Sequence, residues 1–243
     1  FETALLTLGQ RGSTDHGDPR WVVNARKWDA VLLTDVTFHR DGTHDLWVDG
    51  HKWKLVVEGK VAIAMGEAMG QRWEAGGARS FKSRPGQGRV LGLHFPRQGR
   101  RKGLMLIVCY APISSARRTD RQEFLRQVTE VKARTPGGDW LIVGGDFNAE
   151  IGANQAQHYP TVMGQFGSGS TSRTGPELLE WCQQEGLVII DSRFQQPLAK
   201  KYTWWHPSNG TGHVLDHFLM PGSQVKYRVG EVTQESRFGD RAE

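Results

Sequence analysis

The sequence predicts one α+β domain over residues 1–243, with packed sheets and helices at their periphery. Three observations lead there. Eight short apolar runs rich in β-branched residues outnumber three amphipathic stretches. Gly and Pro account for 30 and 10 of the 243 residues, which suits many tight connections. An apolar content of 37% is enough for a substantial core and excludes a disordered chain.

In chain order, a first helix is expected from Asp18 to Lys27, where Asp18 caps the first turn and Pro19 fits its first position. Strands follow at Ala30 to Leu33, Leu55 to Val57, Val61 to Met65, Val90 to Phe95 and Leu104 to Tyr110. From Asp120 to Arg134, Phe124, Leu125, Val128 and Val131 recur at helical spacing, and Thr119 with Gln122 has the spacing of a capping box. Leu141 to Val143 is a strand, and the Gly- and Ser-bearing stretch from Gly152 to Gly175 reads as a long surface loop. Thr174 with Glu177 repeats the capping signature ahead of Leu178, Leu179, Trp181 and Cys182, and Gly186 supplies the stop. Strands at Leu187 to Ile190 and Val214 to Met220 complete the series.

Composition narrows the function classes only a little. Lys and Arg outnumber Asp and Glu by 31 to 26, a net charge of +5 that mildly favours an anionic partner. No apolar stretch is long enough to span a membrane, and Phe1 to Arg20 lacks the pattern of a secretion signal. Opening on Phe1, the chain reads as a processed or partial product. Cys109 and Cys182 are the two cysteines, which excludes a disulfide framework and a four-cysteine zinc site and leaves the compartment open. Both sit in apolar runs where burial is expected.

The most informative string is Leu141-Ile142-Val143-Gly144-Gly145-Asp146-Phe147-Asn148-Ala149, a buried strand running into two glycines, a carboxylate and an amide. Residues two apart in an extended segment face the same way, so Asp146 and Asn148 can point together into a site at the strand end. There one serves as base or metal ligand and the other as donor to an oxyanion. A plain β-turn accounts for the same residues. Two further pieces bear on the choice: Cys109-Tyr110-Ala111-Pro112 ends a strand with a phenol, and Tyr202-Thr203-Trp204 precedes Val214-Leu215-Asp216-His217-Phe218-Leu219.

A strand ending Tyr-Ala-Pro, a helix, a strand ending Gly-Asp-Phe-Asn, a second helix, then Thr-Trp and an aspartate in an apolar strand resembles the endonuclease/exonuclease/phosphatase superfamily. Within it, Gly144 to Gly152 and Thr203-Trp204-Trp205-His206-Pro207 followed by Leu215-Asp216-His217 resemble the apurinic-endonuclease-like domains of non-LTR (LINE-type) retrotransposons. The resemblance covers nearly the whole chain. It implies a four-layered α/β sandwich, two packed, mostly antiparallel sheets flanked by helices, with Mg²⁺ at a site where strand-end loops meet. By the same resemblance Tyr110 assists the phosphate or leaving group, Asp146 orients or deprotonates water, Asn148 holds the scissile phosphate, and Asp216 orients a catalytic histidine.

Three departures from the family pattern stand beside these matches. Gly9, with Gln10 next to it, occupies the place of an asparagine on the first strand. Asp35 stands for the metal-binding glutamate that ends the second strand, on a side chain one methylene shorter. Gly239-Asp240-Arg241 is the local match to the closing Ser-Asp-His, so Asp240 aligns but arginine replaces the histidine. Arginine exchanges no proton near neutral pH. No histidine follows His217, so either the catalytic one is replaced or the true motif lies beyond Glu243, and the family's final core strand, expected after it, is also missing from the sequence.

Two functional classes therefore compete: a Mg²⁺-dependent endonuclease hydrolysing DNA phosphodiesters, and a former endonuclease domain kept as a structural or RNA-binding subunit of a larger assembly. A phosphatase for soluble phosphoesters is a third reading. For nucleic acid, DNA or RNA, the candidate contacts are Arg117, Arg118, Lys200, Lys201 and Trp204, with Arg97 to Lys102 a further basic group. His206, His213 and His217 invite a metal reading, but hydrogen-bonded loop and edge histidines explain them as well.

Overall fold

The computed structural model describes residues 3–7, 28–37, 40–48, 50–82 and 88–225. Long apolar strands dominate it, because chain segments buried on both faces carry almost no polar residues. The first sheet is built from β1 (Thr3–Thr7), β2 (Ala30–Thr34), β3 (Gly42–Val48), β4 (His51–Glu58) and β5 (Val61–Gly66), in the order β1-β2-β5-β4-β3. Helix α1 (Glu67–Ala75) follows. The second sheet contains β6 (Ser80–Lys82), β7 (Val90–Phe95), β8 (Leu104–Tyr110), β9 (Trp140–Asp146), β10 (Leu187–Ile189) and β13 (Asp216–Pro221), in the order β10-β13-β9-β8-β7-β6. Helix α2 (Arg118–Lys132) joins the parallel pair β8 and β9, and α3 (Gly175–Glu185) leads into β10. A short helix α4 (Leu198–Lys201) and the two-stranded hairpin β11 (Trp204–Trp205) and β12 (Gly212–His213) precede β13.

The sheets pack face to face. Leu32, Ile63 and Met65 of the first meet Leu91, Leu93, Leu106, Val108 and Phe218 of the second in one buried cluster. On the outer face of the second sheet, Met105, Ile107 and Val143 meet Phe124, Val128 and Val131 of α2 and Leu178, Leu179 and Trp181 of α3. The outer face of the first sheet is buried too, through Val31, Leu33, Leu55 and Val57. The domain is thus the α/β sandwich expected from the sequence. The helix expected from Asp18 to Lys27 lies outside the described residues.

Several local expectations need correction. Neither capping box forms. Helix α2 begins one residue beyond Arg117, whose guanidinium pairs with Asp120 instead. At α3 the Thr174 hydroxyl donates to Asn148 O, while Glu177 pairs with Arg121. The stretch from Gly152 to Gly175 is not a simple surface loop, since it holds a 3-10 turn at Ala153–Gln157 and buries Val162, Met163 and Ser168. The last strand starts at Asp216 rather than Val214, because the Leu215 and Asp216 N–H groups turn to Thr203 Oγ1. Strand β3 and helix α1 carried too little apolar periodicity to be read, and α1 begins at Glu67, behind Gly66, which offers no side-chain cap.

Candidate active site

Three of the expected residues lie side by side. Tyr110 pairs with Asp146 in the parallel ladder of β8 and β9, and Asp146 pairs with Asp216 in the antiparallel ladder of β9 and β13. All three face the first sheet: Tyr110 packs on the cluster between the sheets, as do Phe218 and Met220, two and four residues beyond Asp216. Two residues before Asp146, a Cβ on Gly144 would stand 2.6 Å from Leu32 Cδ1, so glycine there lets β9 approach β2. That brings the end of β2 to the same corner. Asp35, the residue after β2, has a positive φ of 53° and an 11% exposed side chain, with Lys60 Nζ 3.8 Å from its Oδ1.

The corner is electrostatically tense. Asp146 is 7% exposed and Asp216 2%. Burial and the facing Asp216 carboxylate push the Asp146 pKa well above the ordinary aspartate value, with Asp35 adding to the rise and the Asn148 N–H and His217 opposing it. Tyr110 is pushed up to about 12, by burial first and then by the Asp35 and Asp146 charges, against the Arg89 guanidinium 5.2 Å from its ring centroid. Chemically, this is a phenol that keeps its proton beside a carboxyl that accepts one readily.

Asn148 sits in the left-handed region at φ 47°, a conformation asparagine tolerates and the surrounding bonds enforce. Its N–H donates to Asp146 Oδ1 at 2.7 Å, its Nδ2 to Ala111 O at 2.9 Å, and its carbonyl accepts from Thr174 Oγ1 at 2.7 Å. The next carbonyl, Ala149 O, lies 2.8 Å from His217 Nε2, while His217 Nδ1 lies 2.9 Å from Asp191 Oδ2. Both ring nitrogens thus face acceptors, which an imidazolium satisfies with two donated N–H groups. Burial pulls the His217 pKa down, but the Asp191 charge and these hydrogen bonds outweigh it and leave it raised.

Thr174, His217 and Asp191 hold the segment after β9 in place, a supporting part that sequence reasoning missed. Their only signal was ambiguous, since Thr174 reads as a cap and His217 as a candidate ligand. His213 Nδ1 lies 3.0 Å from Glu150 Oε2 and its ring 5.6 Å from that of Trp204, tying the β11–β12 hairpin to the segment after β9. His206 packs on the same Trp204 ring and its Nδ1 lies 3.0 Å from Ser208 Oγ, so each of the three histidines has its own hydrogen-bond partner. Among the described residues no group of three His, Cys, Asp or Glu side chains could hold a metal ion. Asp35 and Asp146, carboxylates whose charges act on one another, still match an ion such as Mg²⁺ that takes one or two carboxylates and keeps several waters.

The expected nucleic-acid contacts divide. Arg117, Arg118 and Lys200 are exposed and Trp204 is half-buried. Lys201 is the exception: it is 7% exposed, donates to Phe166 O, and has its pKa lowered by burial. Its ammonium faces a small cavity lined by Phe166, Asp191, Ser192, Val214 and His217, on the opposite face of β13 from Asp216. Sequence alone reads a lysine in a polar stretch as solvated, and the burial of Lys201 was not legible there. Asp240 and Arg241, like Gly9 and Gln10, lie outside the described residues.

Comparison with known proteins agrees with this architecture. "Craniofacial development protein 2" of Bos taurus is 32% identical over 131 residues, 54% of this chain but 21% of that protein. The chain therefore spans the equivalent of about a fifth of that relative's length. The endonuclease domain of TRAS1, a telomere-specific non-LTR retrotransposon, superposes with a TM-score of 0.58 at 15% identity, covering 93% of this chain and 87% of that one. The AP endonuclease LMAP from Leishmania major gives a TM-score of 0.56 at 15% identity, covering 91% and 79%. At such identities the two structures speak for the fold alone. Residues 12–238 match the model of the Endonuclease/Exonuclease/phosphatase family, and the chain belongs to that family.

Proposed function

We propose that residues 1–243 form one nucleic-acid-binding domain of retrotransposon-endonuclease type, with impaired phosphodiester hydrolysis and a role as a structural or binding subunit of a larger assembly. The supporting observation is a replacement in the closing motif, while His217, the imidazole next to Asp216 in the chain, is engaged by Asp191 and Ala149 O. In the sequence, Arg241 follows Asp240 where the family has its proton-transferring histidine.

The proposed roles follow from the chemistry of each group. Tyr110 and Asn148 donate hydrogen bonds to a phosphate, Asp146 accepts a proton from water, and Asp216 with Asp240 belongs to the orienting and proton-transfer machinery. Asp35, with Asp146, would hold Mg²⁺, which when bound neutralises charge on the phosphate. Arg118 and Lys200 receive backbone phosphates, Arg117 contributes once released from Asp120, and Trp204 offers a stacking face.

An active Mg²⁺-dependent endonuclease is the second reading, favoured by the raised pKa of Asp146, which suits a general base. Cleavage of an abasic or plain duplex in Mg²⁺ separates the two. We expect a rate at least about a hundredfold below that of an intact family member, since one proton-transfer group contributes on the order of 10²–10⁴. Arg241→His together with Gly9→Asn should recover part of it. Robust cleavage by the unaltered chain, abolished by Asp146→Ala, would overturn the impaired reading.

A further inference from the structure

The end of the second sheet remote from Tyr110, Asp146 and Asp216 carries a basic surface that the site leaves unused. Strands β7 and β8 meet there in a tight turn. Gln98 and Arg101 exchange backbone hydrogen bonds in both directions, at 3.2 and 3.0 Å, around Gly99, whose φ is +56°. A two-residue turn of this kind is rigid, so Arg100 and Arg101 are held out on a fixed scaffold. Leu104–Tyr110 separates this turn from the candidate site, about 20 Å at strand rise.

Other elements bring more positive charge to the same end. Arg72 of α1 donates to Pro96 O and Lys102 O at 3.2 and 3.3 Å, fixing α1 to the base of the turn. Arg79 follows α1 and accepts the His94 N–H through its carbonyl. Arg134 leaves α2 just before β9, and the connection reaches back to the turn at Gly138, where a Cβ would stand 2.8 Å from Arg97 Nη2. Arg79, Arg97, Arg100, Arg101, Lys102 and Arg134 are all exposed.

Acidic groups nearby are already engaged. Asp139 is buried between His94 and Arg97, and Glu74 pairs with Lys54. Among the described residues no carboxylate pairs with Arg79, Arg100, Arg101 or Arg134. Among the described residues the exposed large apolar ones, Trp47, Ile113 and Leu198, belong to other segments. A protein partner would be expected to bury an apolar centre, whereas the large apolar side chain at this end among the described residues, Trp140, is half-buried with Lys102 Nζ 5.3 Å from its ring centroid. A polyanion needs none, and the forked guanidinium suits phosphate oxygens.

We propose that the β7–β8 turn and its flanking arginines form a second nucleic-acid site that grips the phosphate backbone without reading bases. The domain then holds two nucleic-acid segments at once, one at each end of its second sheet. This site stands whether or not the first one hydrolyses anything.

The test uses the full chain with a labelled 12-base-pair DNA duplex and a 12-nucleotide single-stranded RNA, followed by anisotropy across a salt series. Arg100→Gln with Arg101→Gln should weaken binding to this site at least about tenfold at 0.1 M salt and lower the duplex salt slope by about 2. Arg79→Gln with Arg134→Gln, on different elements, should do the same if the turn variant fails to fold. A photocrosslinker on Gln98→Cys should label the bound oligonucleotide, and the arm it labels identifies duplex DNA or single-stranded RNA as the occupant. Unchanged affinity and slope in both pairs, or no crosslink in either arm, would overturn the proposal. So would preferential crosslinking to an acidic polyglutamate peptide that neither oligonucleotide displaces, since the partner would then be protein.

Discussion

Two buried aspartates bracket strand β9, Asp139 just before it and Asp146 at its end, and their surroundings are opposite. Asp139 lies 3.0 Å from His94 Nε2 and accepts bonds from Arg97 Nε and Gly103 N, both at 3.1 Å. Burial would raise its pKa, but these partners outweigh burial and hold it below the ordinary value. Asp146 has comparable burial and faces Asp216 and Asp35, and its pKa is raised. The difference separates a carboxylate that ties the fold together from one that burial and acidic neighbours drive toward its protonated form.

The comparison breaks most visibly on mutation. Asp139→Ala should cost about 1–3 kcal/mol, read from urea unfolding, because it leaves the buried His94 ring nitrogen and the Gly103 N–H without their acceptor. Asp146→Asn should instead leave stability unchanged or raise it by about 1 kcal/mol, since it removes a carboxylate that burial and its neighbours already disfavour. Equal losses at the two positions would erase the distinction.

Acidity sharpens it further, because the two carry opposite signs. Asp139 contributes stability above its unfolded value near 3.8, which is lost as pH falls through the lower folded value, so Asp139→Asn should flatten the acid limb of the stability curve. Asp146 binds its proton more tightly when folded, so stability falls as pH rises from about 3.8 toward the folded value, and Asp146→Asn should remove that fall. Potentiometric or NMR titration of the folded domain checks both directions.

Smaller effects probe the supports. Thr174→Val should cost about 1 kcal/mol by deleting the hydrogen bond to Asn148 O, and hydrogen exchange at Asn148 N should speed up, while exchange around Asp139 stays unchanged. Arg117→Gln, at an exposed pair with Asp120, should leave the urea unfolding midpoint unchanged.

What was legible in the sequence follows the same physics. Strands β2, β5, β7 and β8 were readable because burial on both faces writes a continuous apolar run. Strand β3 was not, as it lies at a sheet edge with Thr43, Asp45 and Trp47 exposed. The order of motifs foretold that Tyr110, Asp146 and Asp216 would meet, but not that their charges would work against one another. Asp139 and His94 are 45 residues apart, and no local pattern couples them. Thr174 marked the start of α3 correctly while its hydroxyl served Asn148, since a hydroxyl that can accept a cap N–H can equally donate to a carbonyl.

The two thiols turn the domain into its own unfolding clock. Cys109, on β8, and Cys182, on α3, are completely buried, and burial pushes both pKa values up, so neither presents a reactive thiolate while its element stays in place. Alkylation of each can therefore proceed only at the pace of local opening. Mass spectrometry of two singly labelled species would time the release of the central strand separately from that of the helix behind it.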